Sequence, residues 1–260
     1  MILKRRVALN GVQLDELDER ILISGIDENA GKETVSAVSS AFGPGQRVTN
    51  MRRDTLDVVV KFAMNIKNGD MAARSALLET VNAWAAQGGW LTLGHRPGRR
   101  INVVLAQAPG AGDMFAWTNE FTLTFRAYSV PYWEDTAEVK VTSGTSSAGS
   151  ATIAVPGSAK TVANVSLRNM SGMVINSLDL NIGGKAMSFT GLGLGANATL
   201  TIDHVQTDRL FYFRARIGSA SVMSKRTGAD DFVLSPGNNS ISFSADRAVK
   251  VTVSVRGRYL

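Results

Sequence analysis

The sequence predicts a mainly β protein in which an α+β domain is followed by an all-β domain. One segment, between Asp70 and Gly88, has its apolar residues at helical spacing. Several other segments alternate apolar and polar residues, which is typical of strands with one buried face. After Asp135 no helical pattern occurs, and short alternating segments are separated by Gly, Asn, Pro and Ser. The second half therefore predicts a β-sandwich or jelly roll.

The predicted helix is amphipathic. Its apolar residues fall three and four positions apart and so share one face: Leu77, Leu78, Val81, Trp84 and Ala85. Asp70 is a candidate N-cap, and Gly88-Gly89 can adopt the left-handed conformation that ends a helix. We expect this face to pack on a sheet, which makes the first domain a sandwich of strands with a single helix.

Strands surround this helix in the first half. Turn residues fix the ends of two hairpins, Asn10-Gly11 after a first strand and Pro97-Gly98 within the turn 95–100. The predicted strands are Lys4–Leu9, Arg20–Ile23, Leu56–Met64, Trp90–Leu93, Ile101–Leu105 and Phe121–Tyr128.

Two stretches lack a clear pattern. Glu28 to Asp54 carries scattered Gly, Pro and Ser, and we interpret it as an extended, irregular arm with short strand pieces. An arm of this length is expected to have a partner or to be mobile. The second stretch, 142–150, is small and polar, and we interpret it as a linker. We place the domain boundary between Trp133 and Ala151, with domains at 1–135 and 136–260.

Composition excludes several classes of site. The chain of 260 residues has no cysteine and only two histidines, so thiolate metal sites and cysteine nucleophiles are excluded and a histidine metal pair is disfavoured. Its net charge of +6 is spread without a long basic block, which indicates a solvated, mildly basic surface. No apolar run approaches a membrane span, and no signal-peptide core follows the N-terminal charges. We expect synthesis in a cytoplasm, with no cofactor and no metal.

Catalytic constellations are scarce. His204 follows Asp203, but neighbouring strand residues point to opposite faces, so we interpret it as a surface histidine. Asp230-Asp231 and Asp15-Glu16 are paired only by proximity, and solvated turns explain them equally well. The glycines of 191–195 lack the Lys-Ser/Thr and helix of a phosphate loop. The sequence therefore predicts no enzyme.

Arginines form the densest basic clusters, near the end of the arm and at a hairpin tip. They have two interpretations, a solubilising surface or a contact with another protein or with a channel. The candidate ring-interface or channel residues are Arg47, Arg52, Arg53, Arg96, Arg99 and Arg100.

The order of these features resembles the distal tail proteins, the tail-tip hub proteins of long, flexible-tailed (siphovirus-type) bacteriophages and related prophages. The resemblance extends over essentially the whole chain. It rests on the sequence 52–60, the helix from Leu77 to Trp84, the hairpin at Trp90–Leu93, the strand Phe121–Tyr128 and Pro131-Tyr132-Trp133. The stretch 234–243 resembles the galectin-like domain that follows in that family.

The resemblance implies a structural role in the virion tail tip. Six copies would form a ring through the first domains, joining the tail tube to the tail-associated hub or lysin protein. The second domains would carry or adjoin the receptor-binding apparatus. The tape measure protein would be a further neighbour, and DNA would only pass through the channel.

Sugar binding is the alternative function, as a carbohydrate-binding module on the bacterial surface. Galectins use a His-x-Asn-x-Arg strand and a stacking Trp, whereas 204–209 lacks the Asn and displaces the Arg by one. All four tryptophans lie in the first half: Trp84, Trp90, Trp117 and Trp133. We therefore expect no sugar-binding residues, and a polysaccharide-degrading enzyme is a third, weaker hypothesis.

Overall fold

The protein is mainly β, as the sequence predicts, and forms two compact units. The computed structural model describes residues 6–29, 33–39, 46–67, 69–110, 120–207 and 210–260. Unit 1 comprises Met1–Trp133 with Thr207–Arg209, and unit 2 comprises Glu134–Gln206 with Leu210–Leu260. Within the described residues there is a single α-helix, so the predicted fold class is confirmed.

Unit 1 is an antiparallel sheet with one helix. Its elements are β1 (Val7–Leu9), β2 (Val12–Gln13), a 3-10 turn (Leu14–Glu16), β3 (Ile21–Asn29), β4 (Glu33–Ser39), β5 (Gln46–Arg53), β6 (Leu56–Met64), α1 (Met71–Ala86), β7 (Gly89–Leu93), β8 (Arg99–Gln107) and β9 (Glu120–Ala127). Seven strands pair in the order β2-β1-β7-β8-β9-β6-β3, while β4 and β5 pair only with each other. Sequence neighbours such as β7 and β8 lie side by side, as hairpins require.

The helix α1 forms where its spacing predicts. Asp70 caps it, since its Oδ1 accepts a hydrogen bond of 3.1 Å from the Ala73 N–H. After the helix, Gly88 has φ +59°, the left-handed value that reverses the chain. All five apolar residues of the predicted face are buried: Leu77, Leu78, Val81, Trp84 and Ala85. The helix therefore contributes one side of the unit 1 core.

The strands of the sheet contribute the other side of this core. Along β6 and β9 every second residue is buried, as the alternation predicts. Asn10 and Gly11 both have positive φ, which is the geometry of a type I′ hairpin turn. In the β7–β8 turn the Arg99 N–H donates to the Arg96 carbonyl at 3.2 Å. These turns fix the register in which the apolar faces meet.

Glu28 to Asp54 is not the irregular arm that we expected. Its first residues complete β3, which pairs with β6 as far as Asn29 opposite Asp57. The strands β4 and β5 then form a regular antiparallel ribbon with a bulge between Ser36 and Ala37. The expectation of an extended arm with strand pieces stands, and only the irregular backbone was wrong, because β-branched residues scattered among Ser and Thr can still pair across two strands.

Unit 2 is a curved β structure. Its elements are β11 (Val139–Thr142), β12 (Ser146–Val155), β13 (Thr161–Asn169), β14 (Ile175–Ile182), β15 (Lys185–Leu194), β16 (Thr199–Gln206), β17 (Phe211–Ile217), β18 (Ala220–Ser221), a 3-10 turn (Met223–Lys225), β19 (Arg226–Gly228), β20 (Val233–Leu234), β21 (Gly237–Val255) and β22 (Arg258–Tyr259). The short strand β10 (Trp133–Asp135) spans the division between the units.

The long strand β21 organises unit 2. Its first part pairs with β12 and β14, and its second part pairs with β11 and β13. Apolar side chains from strands on both parts form one buried cluster, to which β21 contributes Ile241, Phe243 and Val251. The strand β21 thus contributes side chains to one core from two differently paired parts of the sheet.

The stretch 142–150 is not the linker that we expected. From Ser146 onward it belongs to β12, and Gly149 lies opposite Phe243 of β21. The Phe243 ring covers Gly149 so closely that a Cβ there would lie 2.8 Å from the ring. Small residues are therefore used here to fit beneath an aromatic ring and not for flexibility. The domain boundary itself stays a prediction.

Candidate assembly interface

The ribbon of β4 and β5 is an insertion between two paired strands. It leaves the main sheet of unit 1 after β3 and returns at the start of β6, and these two strands are neighbours in that sheet. At its base the Thr34 hydroxyl donates to the Asp54 carboxylate at 2.5 Å. The ribbon can therefore move, or pack on another chain, without interrupting the pairing of β3 with β6.

One face of the ribbon is apolar and exposed. Ala37 lies directly opposite Val48, so their side chains share a face, and Val35 lies two residues earlier on the same face. Val35 is 49% exposed and Val48 is 54% exposed. Two-stranded ribbons are marginally stable without a further packing partner. This face carries two of the three exposed valines of the described ribbon residues, the third being Val38 on the other face, and it is therefore a candidate for a contact with another chain.

The sequence interpretation missed these valines as a site. The signal was present, because Val35 and Ala37 alternate with the polar residues Thr34 and Ser36. The pattern was too short to establish a strand without its partner, and only the pairing places Val48 beside Ala37.

The β7–β8 turn is fastened to the end of β3 by a carboxylate. Glu28 accepts a hydrogen bond from the His95 ring at 2.5 Å, and its carboxylate lies 2.7 Å from Arg96 Nε. The Glu28 side chain is only 15% exposed, so these contacts are shielded from water more than a surface ion pair is. The turn is therefore held in one orientation.

Two of the predicted arginines each pack on an aromatic ring, and the two rings are consecutive in the sequence. The Arg96 guanidinium lies 5.0 Å from the centre of the Trp133 ring, and the Arg53 guanidinium lies 5.4 Å from the centre of the Tyr132 ring. Cations attract the electron-rich faces of such rings. The end of the ribbon and the β7–β8 turn are thus each packed on a residue of the same short segment, which the sequence did not reveal.

The other predicted arginines lie elsewhere. Arg100 stacks on Trp90 at 3.8 Å, a diagonal pair across β7 and β8 on the sheet face opposite the buried Leu91 and Ile101. Arg99 begins β8 and is partly buried. Arg47 and Arg52 lie in β5, with side chains outside the described residues. Their role at a ring interface or channel stays a prediction.

The two histidines belong to different units. His95 belongs to the Glu28 contacts of unit 1, whereas His204 lies in unit 2. His204 is partly buried, which corrects our interpretation of a surface histidine. Its ring stacks on Phe211 with centroids 5.2 Å apart, and burial lowers its pKa to about 4.

Two further kinds of site concern the part of the chain that the structure describes, metal sites and membrane-spanning helices. It contains no group of three or more His, Asp or Glu side chains placed to hold a metal ion. None of its helices is long and apolar enough to cross a membrane.

The fold is similar to that of a phage protein of known structure. Over 98% of this chain and 99% of the other, the structure is similar to the Dit protein (gp 19.1) of phage SPP1, described as a paradigm of the hub adsorption apparatus in phages that infect Gram-positive bacteria. The TM-score is 0.68 at 13% sequence identity. The two chains therefore share a fold from end to end.

Other comparisons are weaker. Two structures of the phage P2 baseplate in its activated conformation, one with Ca and one with Sr, each align at a TM-score of 0.46 and 6% identity. They cover 97% of this chain. No protein-family profile matches the sequence, and no curated protein matches it.

Proposed function

We propose that this protein is a structural hub of the tail tip of a long, flexible-tailed phage, a distal tail protein without catalytic activity or cofactor. The observation that carries this proposal is the full-length fold shared with the SPP1 Dit protein. The sequence resemblance supports it independently, because it rests on the order of features in the sequence and not on coordinates. In this role the protein resides in the virion and is made in the host cytoplasm.

The assembly that we propose is a homohexameric ring built by unit 1. The apolar face of the ribbon, with Val35, Ala37 and Val48, lies on the next subunit. Such a head-to-tail contact is heterologous and closes into a ring when the rotation fits. Burial of the exposed valines on a neighbour supplies a hydrophobic contribution that the isolated unit lacks.

The arginines have two roles in this proposal. Arg53 holds the ribbon end on Tyr132 and so helps to set the direction in which the ribbon leaves the main sheet, while Arg96 holds the β7–β8 turn on Trp133. The remaining candidates face the ring interface or the channel: Arg47, Arg52, Arg99 and Arg100. The ring joins the tail tube to the hub or lysin protein, while unit 2 adjoins the receptor-binding apparatus.

Native mass spectrometry of the full-length protein over a range of concentrations tests the ring. We expect a hexamer that dissociates on dilution, and a ring in negative-stain images. The double variant Val35→Asp/Val48→Asp is expected to remain folded, because both side chains are exposed, and to lose the hexamer. Val12→Asp, at a residue that is 47% exposed and outside the ribbon, is the matched control. A double variant that assembles like the parent refutes the ribbon contact, and a different closed symmetry refutes the hexamer.

One observation favours the alternative of a carbohydrate-binding module. Tyr212 is 48% exposed and lies on the same face of β17 as Arg214, which binds Asp203 through two bonds of 2.7 Å. An exposed ring beside fixed polar groups can stack on a sugar. A reproducible, competable hit on a glycan array that Tyr212→Ala abolishes would favour this alternative.

A further inference from the structure

A buried asparagine fixes the loop between β13 and β14 in unit 2. Asn169 is 0% exposed, and the two hydrogens of its Nδ2 are shared among the carbonyls of Met173, Leu194 and Gly195, which lie 2.7, 2.9 and 3.0 Å from the nitrogen. Its Oδ1 accepts from the Ser171 N–H at 2.8 Å and from the Ser171 hydroxyl at 2.7 Å. One side chain therefore ties both ends of the loop to the neighbouring strand.

This fixed loop displays apolar side chains to water. Met170 is 40% exposed, Met173 is 59% exposed and Val174 is 50% exposed. Single exposed apolar residues are ordinary, but three within five positions form a continuous apolar tip. Because Asn169 holds the backbone, the loop cannot fold over to cover them. The isolated chain therefore keeps these three apolar side chains exposed to water, which is unfavourable.

Two cations stand beside the apolar tip. Arg168 of β13 lies directly opposite Lys250 of β21, an arrangement of like charges that destabilises a sheet. Within the described residues neither has a carboxylate partner, and Arg168 contacts only the Asn197 side-chain oxygen, at 3.4 Å. The backbone pairing continues into the loop, where the Met170 N–H donates to the Ala248 carbonyl. Arg168 thus lies at the strand end from which the loop with the apolar tip begins, and Lys250 lies opposite it on β21.

We infer that this surface, the Met-loop patch of Arg168, Met170, Met173, Val174 and Lys250, binds a second tail-tip protein. The partner presents an apolar recess with carboxylates on its rim. The recess takes up the apolar tip, and the carboxylates neutralise the two cations that have no carboxylate partner among the described residues. This inference rests on the proposed function and names the surface through which unit 2 meets a neighbour.

The observations favour a protein partner over a lipid surface. Met and Arg are enriched at protein interfaces, and Met adapts its shape to a recess. A fixed backbone lowers the entropy cost of binding to a partner of fixed shape, an advantage that a fluid bilayer does not need. Loops that enter membranes rely on Trp, Phe and Leu, none of which occurs between 169 and 174.

Photo-crosslinking in assembled tails tests the contact. A diazirine analogue of methionine is introduced at 170 or 173 in the full chain, which is then assembled into tails with the tail genes of its own phage. Irradiation is expected to link each position to one other tail protein, at a segment that contains Asp or Glu. The same label at Met187, which is 0% exposed, is the control and is expected to form no intermolecular link. Links only to lipid, only to another copy of this chain or to no molecule overturn the inference.

Charge and polarity variants supply the second measurement. Met170→Asp/Met173→Asp and Arg168→Glu/Lys250→Glu are each expected to reduce the linked protein in purified tails by at least about tenfold, as substitutions at the centre of an interface do. The hexamer of unit 1, seen by native mass spectrometry, is expected to stay intact. Met71→Asp, at a methionine that is 47% exposed in unit 1, and Lys185→Glu are the matched controls.

The outcomes separate this inference from the proposed function. Wild-type amounts of the partner in both double variants overturn the inference and leave the tail-tip role standing. A chain that never enters tails overturns both. A chain that instead sediments with vesicles of phosphatidylcholine and phosphatidylglycerol in equal parts, and loses this binding in both double variants, identifies a membrane surface and overturns the protein partner.

Discussion

The Trp84 indole meets the Phe125 ring edge-on, with ring centroids 5.9 Å apart and planes at 86°. This contact joins α1 to β9 in the middle of the unit 1 core. Trp84 also donates its Nε1–H to the Val12 carbonyl at 3.1 Å, so the ring is anchored at two places.

Truncation of this ring is the first prediction. Trp84→Ala is expected to lower the free energy of unfolding of unit 1 by about 3–5 kcal/mol, because it removes a large buried side chain and leaves a cavity. Urea unfolding followed by circular dichroism measures the change. Trp84→Phe, which keeps a ring and loses the Nε1–H, is expected to cost less. A loss below about 1 kcal/mol for the alanine variant would show that the helix does not pack as described.

The second prediction concerns the independence of the two units. All four tryptophans lie at or before residue 133, so tryptophan fluorescence reports on unit 1. Phe189→Ala, at a residue that is 1% exposed in unit 2, is expected to shift one circular dichroism transition and leave the fluorescence transition unchanged. A common shift of both signals would mean that the chain unfolds as one body and that the domain division is wrong.

The third prediction tests the strand that replaces the expected linker. Gly149→Ala is expected to lower the free energy of unfolding of unit 2 by about 1–3 kcal/mol, because the added methyl group collides with the Phe243 ring. Thermal unfolding by circular dichroism measures it. Gly144→Ala is the matched control, since no atom lies within 4 Å of its Cβ position. Equal stability of the two variants would restore the linker interpretation.

The fourth prediction concerns acid sensitivity, which arises at His204. Burial is the main cause that lowers its pKa, to about 4 from 6.5 in the unfolded chain. The negative charge of Asp231 raises the pKa, the positive charge of Arg258 lowers it and the charge of Asp203 raises it. The Phe211 ring stacked on the imidazole keeps water from one of its faces.

The lowered pKa of His204 makes the fold less stable in acid. The unfolded chain takes up a proton at His204 near pH 6.5, whereas the folded chain resists it until about pH 4. Neutral His204 therefore makes its full contribution to the free energy of unfolding above pH 6.5, and this contribution is lost as the pH falls toward 4. We expect the free energy of unfolding to fall by about 2 kcal/mol over this pH range. This is less than the full pKa shift of His204 implies, because the ring is partly open to water. Urea unfolding at several pH values is expected to show a weaker pH dependence for His204→Phe than for wild type. An equal dependence in both proteins would assign the acid sensitivity to other groups.

Local chemistry in the sequence determined the helix, the alternating strands and the tight turns. The cap at Asp70, the buried alternation along β6 and the positive φ at Gly98 all follow from residues within a few positions of one another. Such features depend on spacing, side-chain shape and backbone freedom, which a single sequence displays directly.

Only the tertiary structure decided where distant segments meet. It paired 146–150 with β21, folded β4 on β5 and buried Arg74 completely on the apolar side of α1. It also brought Arg53 and Arg96 to neighbouring aromatic rings. The physical reason is that strand pairing and cation–aromatic contacts depend on partners far away in the chain. A local sequence pattern does not indicate which distant segment the partner is. The sequence thus determined which segments could be helices and strands. The pairing of segments that are far apart in the chain determined the candidate interface.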